Sequence, residues 1–502
     1  MILGSLLLAA ALTKPDAALA HYEKHEAPHL VPMLSEVIAF PTDASNPDAH
    51  VAQKAWLMKT AKDLGFVARD AGKITEIELP GPEGAPVLGL VIHGDVQPAD
   101  VDAWSFDAFG GNVADGYVQG RGAADDKGPL IQALLAMKAL KETGAPLTHT
   151  IRLLVGSEEE SAATEMPEYL KDHAAPDYSL VLDSEFPVVV GEKAWDGLGL
   201  VTTLAERGEP KPYRVVSIDA GLTPSIVPDR AEARIEWVDA PARWQPILDA
   251  LEKAKTKMPE GTRLAFDAAG ATLRIVAYGK SAHAGVNLAG GRNALVGLAR
   301  ALDGILPQGG ANDILAFVRQ AGQDNYGTGL GITSNDPIWG HYAVNIATVK
   351  MVENDPQSFM LYINLRRTPP RNAAEAKAHL ESFVANFNEK TGSQFTIDTT
   401  KSYFGDEPLV FDPNAKIVKR LMSVYERATG EKVKPAISGG GTYAKRIPNA
   451  IAFGMWFPGK PYPGHDVDEK ILISDLHRGA RVLIHALVDI ATQPKIEGAF
   501  GK

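Results

Sequence analysis

The sequence predicts an α/β fold in which one domain is interrupted by a large insertion of different texture. Three observations lead there. From about residue 74 to 183, short apolar runs alternate with helical periodicity, the pattern of a sheet covered by helices. From about 195 to 400 the texture shifts to alternating polar and apolar stretches with few helices, as in antiparallel strands. After about 404 the alternation of strand and helix returns. The division that follows is 21–194 and 404–502 for the two parts of one domain, and 195–403 for the insertion.

Taken in order, residues 2–12 are apolar, and Ala18-Leu19-Ala20 precedes His21. An apolar stretch with a small-x-small end reads as an export leader over 1–20, which favours a periplasmic or secreted protein over a cytoplasmic one. No Lys or Arg precedes the stretch, so the alternative is an alanine-rich helix packed on the domain. Helical spacing marks 26–40 and 51–65, and strands follow at 74–79 and 87–92. The second of these runs into His93-Gly94-Asp95. Residues 128–142 form a helix opened by Gly128-Pro129, 151–155 a buried strand, and 179–182 a strand ending at Asp183. In the insertion, 212–217, 232–237, 343–349 and 358–366 read as strands and 292–304 as a helix. The last part holds a helix at 413–427, glycines 439–441, a strand at 450–455, a loop at 457–468 and a helix at 473–491.

Composition narrows the function. With 502 residues, 45% of them hydrophobic, the chain can bury large cores. Cysteine is absent, which excludes disulfides, thiolate metal sites and cysteine nucleophiles. The net charge of −12 opposes nucleic acid and anionic membrane as partners, and no Lys/Arg-rich run offsets it. The apolar N-terminal run is too short to span a bilayer, so no stable membrane insertion is expected.

Polar residues gather at the ends of buried strands, where open α/β sheets bind ligands. His93 and Asp95, two apart on an extended chain, point the same way. Asp125 and Asp126 sit in a glycine-flanked loop just before a helix. Glu158-Glu159-Glu160 follows the strand at 151–155, and three adjacent charges are costly to bury without a cation. His465 lies in a loop after a buried strand, and His283 in Ser281-Ala282-His283-Ala284-Gly285. Imidazole and carboxylate without thiolate suit zinc, manganese or cobalt. Two histidines with several carboxylates can hold two ions and leave a Glu to activate water, the inventory of metal-assisted hydrolysis. His21, His25 and His29 share a helical face and read as surface residues, and His477 and His485 as structural ones.

These pieces resemble the M20 metallopeptidases, and among them the PepV/Sapep-like dipeptidases. The resemblance rests on His93-Gly94-Asp95-Val96-x-Pro98, Trp104, Phe106, Asp115-Gly116, and Gly120-Arg121-Gly122-Ala123-x-Asp125-x-Lys127-Gly128. It continues through Glu159-Glu160-Ser161, Asp183-Ser184-Glu185-Phe186-Pro187, Gly191-Glu192-Lys193 and Ala282-His283-Ala284. Arg366, Gly439-Gly440-Gly441-Thr442-Tyr443-Ala444 and Gly464-His465 complete it in the family's order over 21–502.

The resemblance implies a zinc-peptidase-type catalytic domain with a mixed central sheet, split by a large inserted α+β lid. It implies two Zn²⁺, with Mn²⁺ or Co²⁺ as alternatives. His93 and Asp183 would hold one ion, Glu160 and His465 the other, and Asp125 would bridge, with a cis Asp125–Asp126 peptide. Glu159 would be the general base acting on a metal-activated bridging water, and Asp95 would orient His93. His283 would stabilise the oxyanion from the lid. Arg366 would clamp the terminal carboxylate of a small peptide, helped by Gly440, Gly441 and Thr442. Ser225 stands where the family has a substrate-holding Asn, and Asp468 where Asn is usual before Glu469. The implied activity is cleavage of free dipeptides; the alternative on the same dinuclear site is N-acyl amino acid deacylation or carboxypeptidase action. A non-enzymatic role would need a missing ligand or base, and none is missing. The large lid resembles that of relatives that work as monomers.

Overall fold

The computed structural model describes residues 14–501, apart from 204, 208, 239, 240, 353 and 354. Residues 1–13, the greater part of the leader expected over 1–20, lie outside the described residues. Residues 18–20 belong to the helix Lys14–His21, in which Ala18 is buried in the main core. That helix runs through a π-helical turn into Ala27–Ile38, so the helix expected at 26–40 begins a dozen residues earlier. Tyr22 holds it down through a 2.9 Å hydrogen bond to His477 Nδ1. Among the described residues no helix is long and apolar enough to cross a membrane.

A six-stranded mixed sheet centres the first domain. Its order is Val67–Ala71, Ile74–Leu79, Thr150–Gly156, Val87–His93, Tyr178–Val181 and Ala450–Ala452. The last four run parallel. Their sequence explains why: Val87–His93 is apolar almost throughout, and both its faces are covered. Leu90, Ile92, Leu153 and Leu180 enter a core shared with Leu134, Leu483 and Leu487 of the helices Lys127–Glu142 and Ile473–Ala491. Val91, Leu154 and Val181 enter a separate core with Met166, Tyr443 and Ile447. Each such side chain contributes about 1.5–3 kcal/mol on burial. The strand expected at 450–455 is broken: Ala450–Ala452 stays in this sheet, while Met455–Trp456 pairs with Ser184–Glu185.

The chain leaves this domain after Lys193 and builds an eight-stranded antiparallel sheet. Its order is Arg263–Ala269, Thr272–Tyr278, Arg230–Trp237, Tyr213–Ala220, Ala343–Val352, Asp355–Arg367, Ala194–Thr203 and Thr396–Ile397. Alternation in these strands reflects one covered face: Tyr213–Ala220 is buried at Tyr213, Val215, Ile218 and Ala220 and open at Arg214 and Val216. The cover comes from Ala294–Ala301, where a helix was expected, and from Gln245–Lys255, Gly310–Ala321 and Ala373–Thr391, which periodicity did not reveal. Ala373–Thr391 carries its own start and stop signals, an Asn372/Glu375 capping box and Gly392 at φ 70°. Leu198, Ile235, Leu298, Phe317 and Leu361 form a core of their own.

Candidate metal centre

The four parallel strands deliver their carboxyl ends to one edge, and the candidate residues collect there. His93 is the last residue of its strand; Glu160 follows the strand Thr150–Gly156 by four residues; Asp183 follows Val181 by two. His465 arrives from the loop after Met455–Trp456 with φ 65°, a conformation that costs a non-glycine residue energy. The peptide between Asp125 and Asp126 is cis, as the resemblance implied.

Asp125 stands between the two imidazoles. Its Oδ1 is 3.0 Å from His93 Nε2 and its Oδ2 3.1 Å from His465 Nε2. On the His93 side, Asp183 Oδ2 lies 4.0 Å from the same Nε2. On the other side, Glu160 Oε1 is 2.7 Å from His465 Nε2. Ligand atoms of His93, Asp125 and Glu160 lie within 4.8 Å of one another, as do those of His93, Asp126 and Asp183. Each carboxylate oxygen of Asp125 thus serves one half, the arrangement of a bridging ligand.

The charges fit cations. Among the described residues, no Lys or Arg pairs with Asp125, Asp126, Glu159, Glu160 or Asp183. Asp183 is pushed well above the usual carboxylate range by burial and then by Asp125 and Asp126. Asp126, fully buried, is pushed up by burial too, and its Oδ1 has no partner. Burial works against a charged His465, but Glu160 and Asp125 outweigh it and raise the imidazole to about 10. Five crowded carboxylates with two imidazoles and no paired ammonium or guanidinium suit divalent metal binding.

The run of three glutamates sorts itself. Glu158 turns outward to Lys73 Nζ at 2.7 Å. Glu159 and Glu160 turn inward, their N–H groups donating to Asp95 Oδ1 and Oδ2 at 3.2 and 2.9 Å. The part expected of Asp95 changes accordingly. His93 Nδ1 meets the backbone carbonyl of Asp95 at 2.9 Å and its carboxylate only at 3.5 Å. Asp95 orients His93 chiefly through its main chain and uses its carboxylate to hold the glutamate loop. Burial raises Glu159 to about 8, assisted by Glu160 and Asp95 and opposed by His93. Glu469 supports the bridge from behind, accepting from Ala124 and Asp125 N–H at 2.9 and 3.3 Å and pairing with Arg121 at 2.8 Å.

The lid reaches the centre within the same chain. The His283 ring lies 4.4 Å from that of His465. Its Nδ1 accepts from Gly285 and Val286 N–H at 2.9 and 2.8 Å, which leaves the ring proton on Nε2. Burial, then His465 and Arg366, hold this imidazole well below its usual range and hence neutral. Gly285 and Gly439 meet backbone to backbone; a Cβ on Gly439 would stand 2.0 Å from Gly285 O, so both positions require glycine. Ser281 Oγ accepts from Val467 N–H at 2.9 Å.

A cavity of about 170 Å³ joins Glu159, Glu160, His283 and His465 to Arg366, Ser225, Gly441, Thr442 and Lys445. Gly440 borders a second recess that opens on the ligands. Arg366 is buried and brought down by burial to about 10, and among the described residues it is engaged at Nε alone, by Asn364 Oδ1 at 3.1 Å. Thr442 borders the cavity, but its hydroxyl and N–H both donate to the buried Glu192, at 2.8 and 3.1 Å, so it holds the glycine loop rather than a ligand. Ser225 presents its carbonyl, which accepts from Ala284 N–H at 2.8 Å and lies 3.5 Å from His465 Nδ1.

The sequence reading passed over two neighbours. Tyr462 donates to Asp125 Oδ2 at 2.5 Å and Gln97 donates to Glu160 Oε2 at 3.0 Å, while Asp126, singled out with Asp125 but given no role, accepts from His93 N–H at 3.3 Å. Tyr462 and Gln97 lie in segments already singled out for other residues, and only the fold aims them inward.

Comparison with known proteins agrees with this geometry. Residues 89–489 match the model of peptidase family M20/M25/M40. The Bacillus subtilis protein YtjP, provisionally named a dipeptidase, is 31% identical over 411 residues, 82% of this chain and 84% of its own length. A Staphylococcus haemolyticus protein with the same provisional naming, SH1171, is 25% identical over 445 residues, 87% of this chain and 90% of its own. The fold is similar to that of human carnosine dipeptidase 1, with a TM-score of 0.61 at 14% identity over 95% of this chain and 99% of that one. It is equally similar to the Saccharomyces cerevisiae dipeptidase Dug1p, with a TM-score of 0.61 at 14% identity over 96% and 100% of the two chains. Sequence match, fold and the strand-end cluster agree: the chain belongs to peptidase family M20/M25/M40.

Proposed function

We propose that this chain is a dinuclear, zinc-type dipeptidase that cleaves free dipeptides and needs no second subunit to complete its site. The observation that carries the reading is a small cavity that brings together Glu159, Glu160 and His465 of the carboxylate–imidazole cluster, the lid imidazole of His283 and the buried guanidinium of Arg366. The dipeptidase naming of YtjP and SH1171 supports it.

His93 and Asp183 would hold one ion, Glu160 and His465 the other, and Asp125 both. Bound there, the ions supply Lewis-acid polarisation of the scissile carbonyl and lower the pKa of water. The remaining roles belong to side chains of this chain. Glu159 takes a proton from the attacking water and returns it to the leaving nitrogen, which requires a carboxyl whose proton affinity burial has raised. His283 Nε2–H donates to the carbonyl oxygen as negative charge develops there. Arg366 offers its terminal nitrogens to the substrate's carboxylate, a pairing that an internal peptide bond cannot supply. Since His283 of the same chain faces the cluster, a monomer is catalytically complete.

Purified protein assayed with and without chelator on free dipeptides, C-terminally amidated dipeptides, a tripeptide and N-acetyl amino acids tests this. Chelator-sensitive cleavage confined to free dipeptides is expected. Cleavage of the acetylated set instead would assign the site to deacylation.

A further inference from the structure

One polar contact between lid and catalytic domain ends on a side chain that the mechanism above does not use. Gln97 is only 2% exposed and sits two residues after Asp95. Its Nε2 donates to Glu160 twice, to carboxylate Oε2 at 3.0 Å and to the backbone carbonyl at 3.2 Å. Its Oε1 accepts from the hydroxyl of Thr223 at 2.8 Å. Thr223 belongs to the lid, on the segment between the strands Tyr213–Ala220 and Arg230–Trp237. The orientation of the amide is fixed, because a flip would set its carbonyl against the Glu160 carboxylate and backbone carbonyl, neither of which can donate.

The other metal ligand of that half also meets the lid: the Ser225 carbonyl lies 3.5 Å from His465 Nδ1. On the other half, the polar partners of His93 among the described residues all come from the catalytic domain: Asp95, Asp125, Asp126 and Asp183. We propose that Gln97 is a positioning residue that links closure of the lid, through Thr223, to the orientation of Glu160, and so to metal binding on the Glu160–His465 side alone. With Thr223 withdrawn, Gln97 loses its lid-side anchor, and the amide that donates to Glu160 Oε2 is free to turn away from it. By linkage, a cation on Glu160 favours the closed lid to the same degree that the closed lid favours the cation.

This inference rests on the metal-dependent reading, and its test uses the metal alone. Metal-stripped protein is titrated with Mn²⁺ or Zn²⁺ in a calorimeter, as wild type, Thr223→Val and Gln97→Leu. Two binding steps are expected in all three. One step weakens about five- to tenfold in each variant, the scale of one hydrogen bond, and the other step stays unchanged. The double variant is no weaker than Gln97→Leu, because both changes cut the same chain of contacts. Hydrogen exchange at Val227 N–H, which donates to Ala282 O at 2.9 Å inside the lid, slows on metal addition in the wild type and less in Thr223→Val. Thr223→Val keeps shape and lies outside the cores, so it remains informative if Gln97→Leu fails to fold. Wild-type affinity for both ions in Thr223→Val, or additive losses in the double variant, overturns the inference while the metal reading stands. Failure of the wild type to bind either ion overturns both.

Discussion

The two halves of the centre are built differently. His93 and Asp183 leave adjacent parallel strands at their carboxyl ends, so a packed sheet fixes their backbone. Glu160 and His465 come from loops, His465 in a left-handed conformation, and their side chains depend on Gln97, Asp125 and the approach of the lid. The first half sets where chemistry happens; the second makes the site responsive to whether the lid is shut. Glu159 lies between, tied by its N–H to the Asp95 that also faces His93.

If Glu159 is the proton carrier for both halves, Glu159→Gln should lower kcat by about 10³-fold or more while two ions still bind. Metal loss in that variant would make it a ligand instead. His283→Ala removes the lid's contribution without touching a ligand, and kcat should fall about 10²- to 10³-fold with metal content unchanged. Loss of an ion there would place His283 in the second half itself. Arg366→Ala should cost about 10- to 100-fold in kcat/KM for free dipeptides and little for amidated ones; equal losses would remove the carboxylate clamp.

Thermal unfolding of the metal-free protein compares the halves directly. Asp183 is held well above its ordinary range by burial and by Asp125 and Asp126, so it burdens the fold at neutral pH. Asp183→Asn should stabilise the metal-free fold by about 1–2 kcal/mol, whereas Glu160→Gln, which breaks contacts to His465 and Gln97, should not. The same direction of change in both would erase the asymmetry.

The smallest effect sits beneath the glycine loop. Burial raises Glu192 to about 7, against 4.5 for the free side chain, with Lys445 and Thr442 opposing. Between those two values the unfolded chain loses this proton and the fold keeps it, so this group's contribution to stability falls as pH rises through that window and is constant above it. Glu192→Gln should flatten that part of the stability–pH curve; an unchanged curve would mean the group is ionised in the fold.

Much of the first half was legible in the sequence. An apolar run ending in His93-Gly94-Asp95 states both a buried strand and what stands at its end, and the run ending at Asp183 does the same. The second half was legible only as motif. Within Glu158-Glu159-Glu160 only the match of the following Ser161 to the family motif sets the register; the outward partner of Glu158, Lys73, lies eighty-five positions earlier. The Thr223–Gln97 and Tyr462–Asp125 contacts join residues 126 and 337 positions apart, beyond the reach of any periodicity. The lid helix Gln245–Lys255 was missed for another reason: it is short and lies between the strands Arg230–Trp237 and Arg263–Ala269, whose alternation masks a 3.6-residue period. Thr442 shows the limit of reading a role from position, since the buried Glu192 takes both its donors.

The most direct measurement is a reconstitution curve. Metal-stripped wild type and Glu159→Gln would each receive increasing equivalents of Zn²⁺, with bound metal and hydrolysis of a free dipeptide followed on the same samples. Both proteins should bind two equivalents, wild-type activity should reach its plateau only as the second fills, and Glu159→Gln should stay inert throughout. Full activity at one equivalent, activity without metal, or a competent Glu159→Gln would contradict the account.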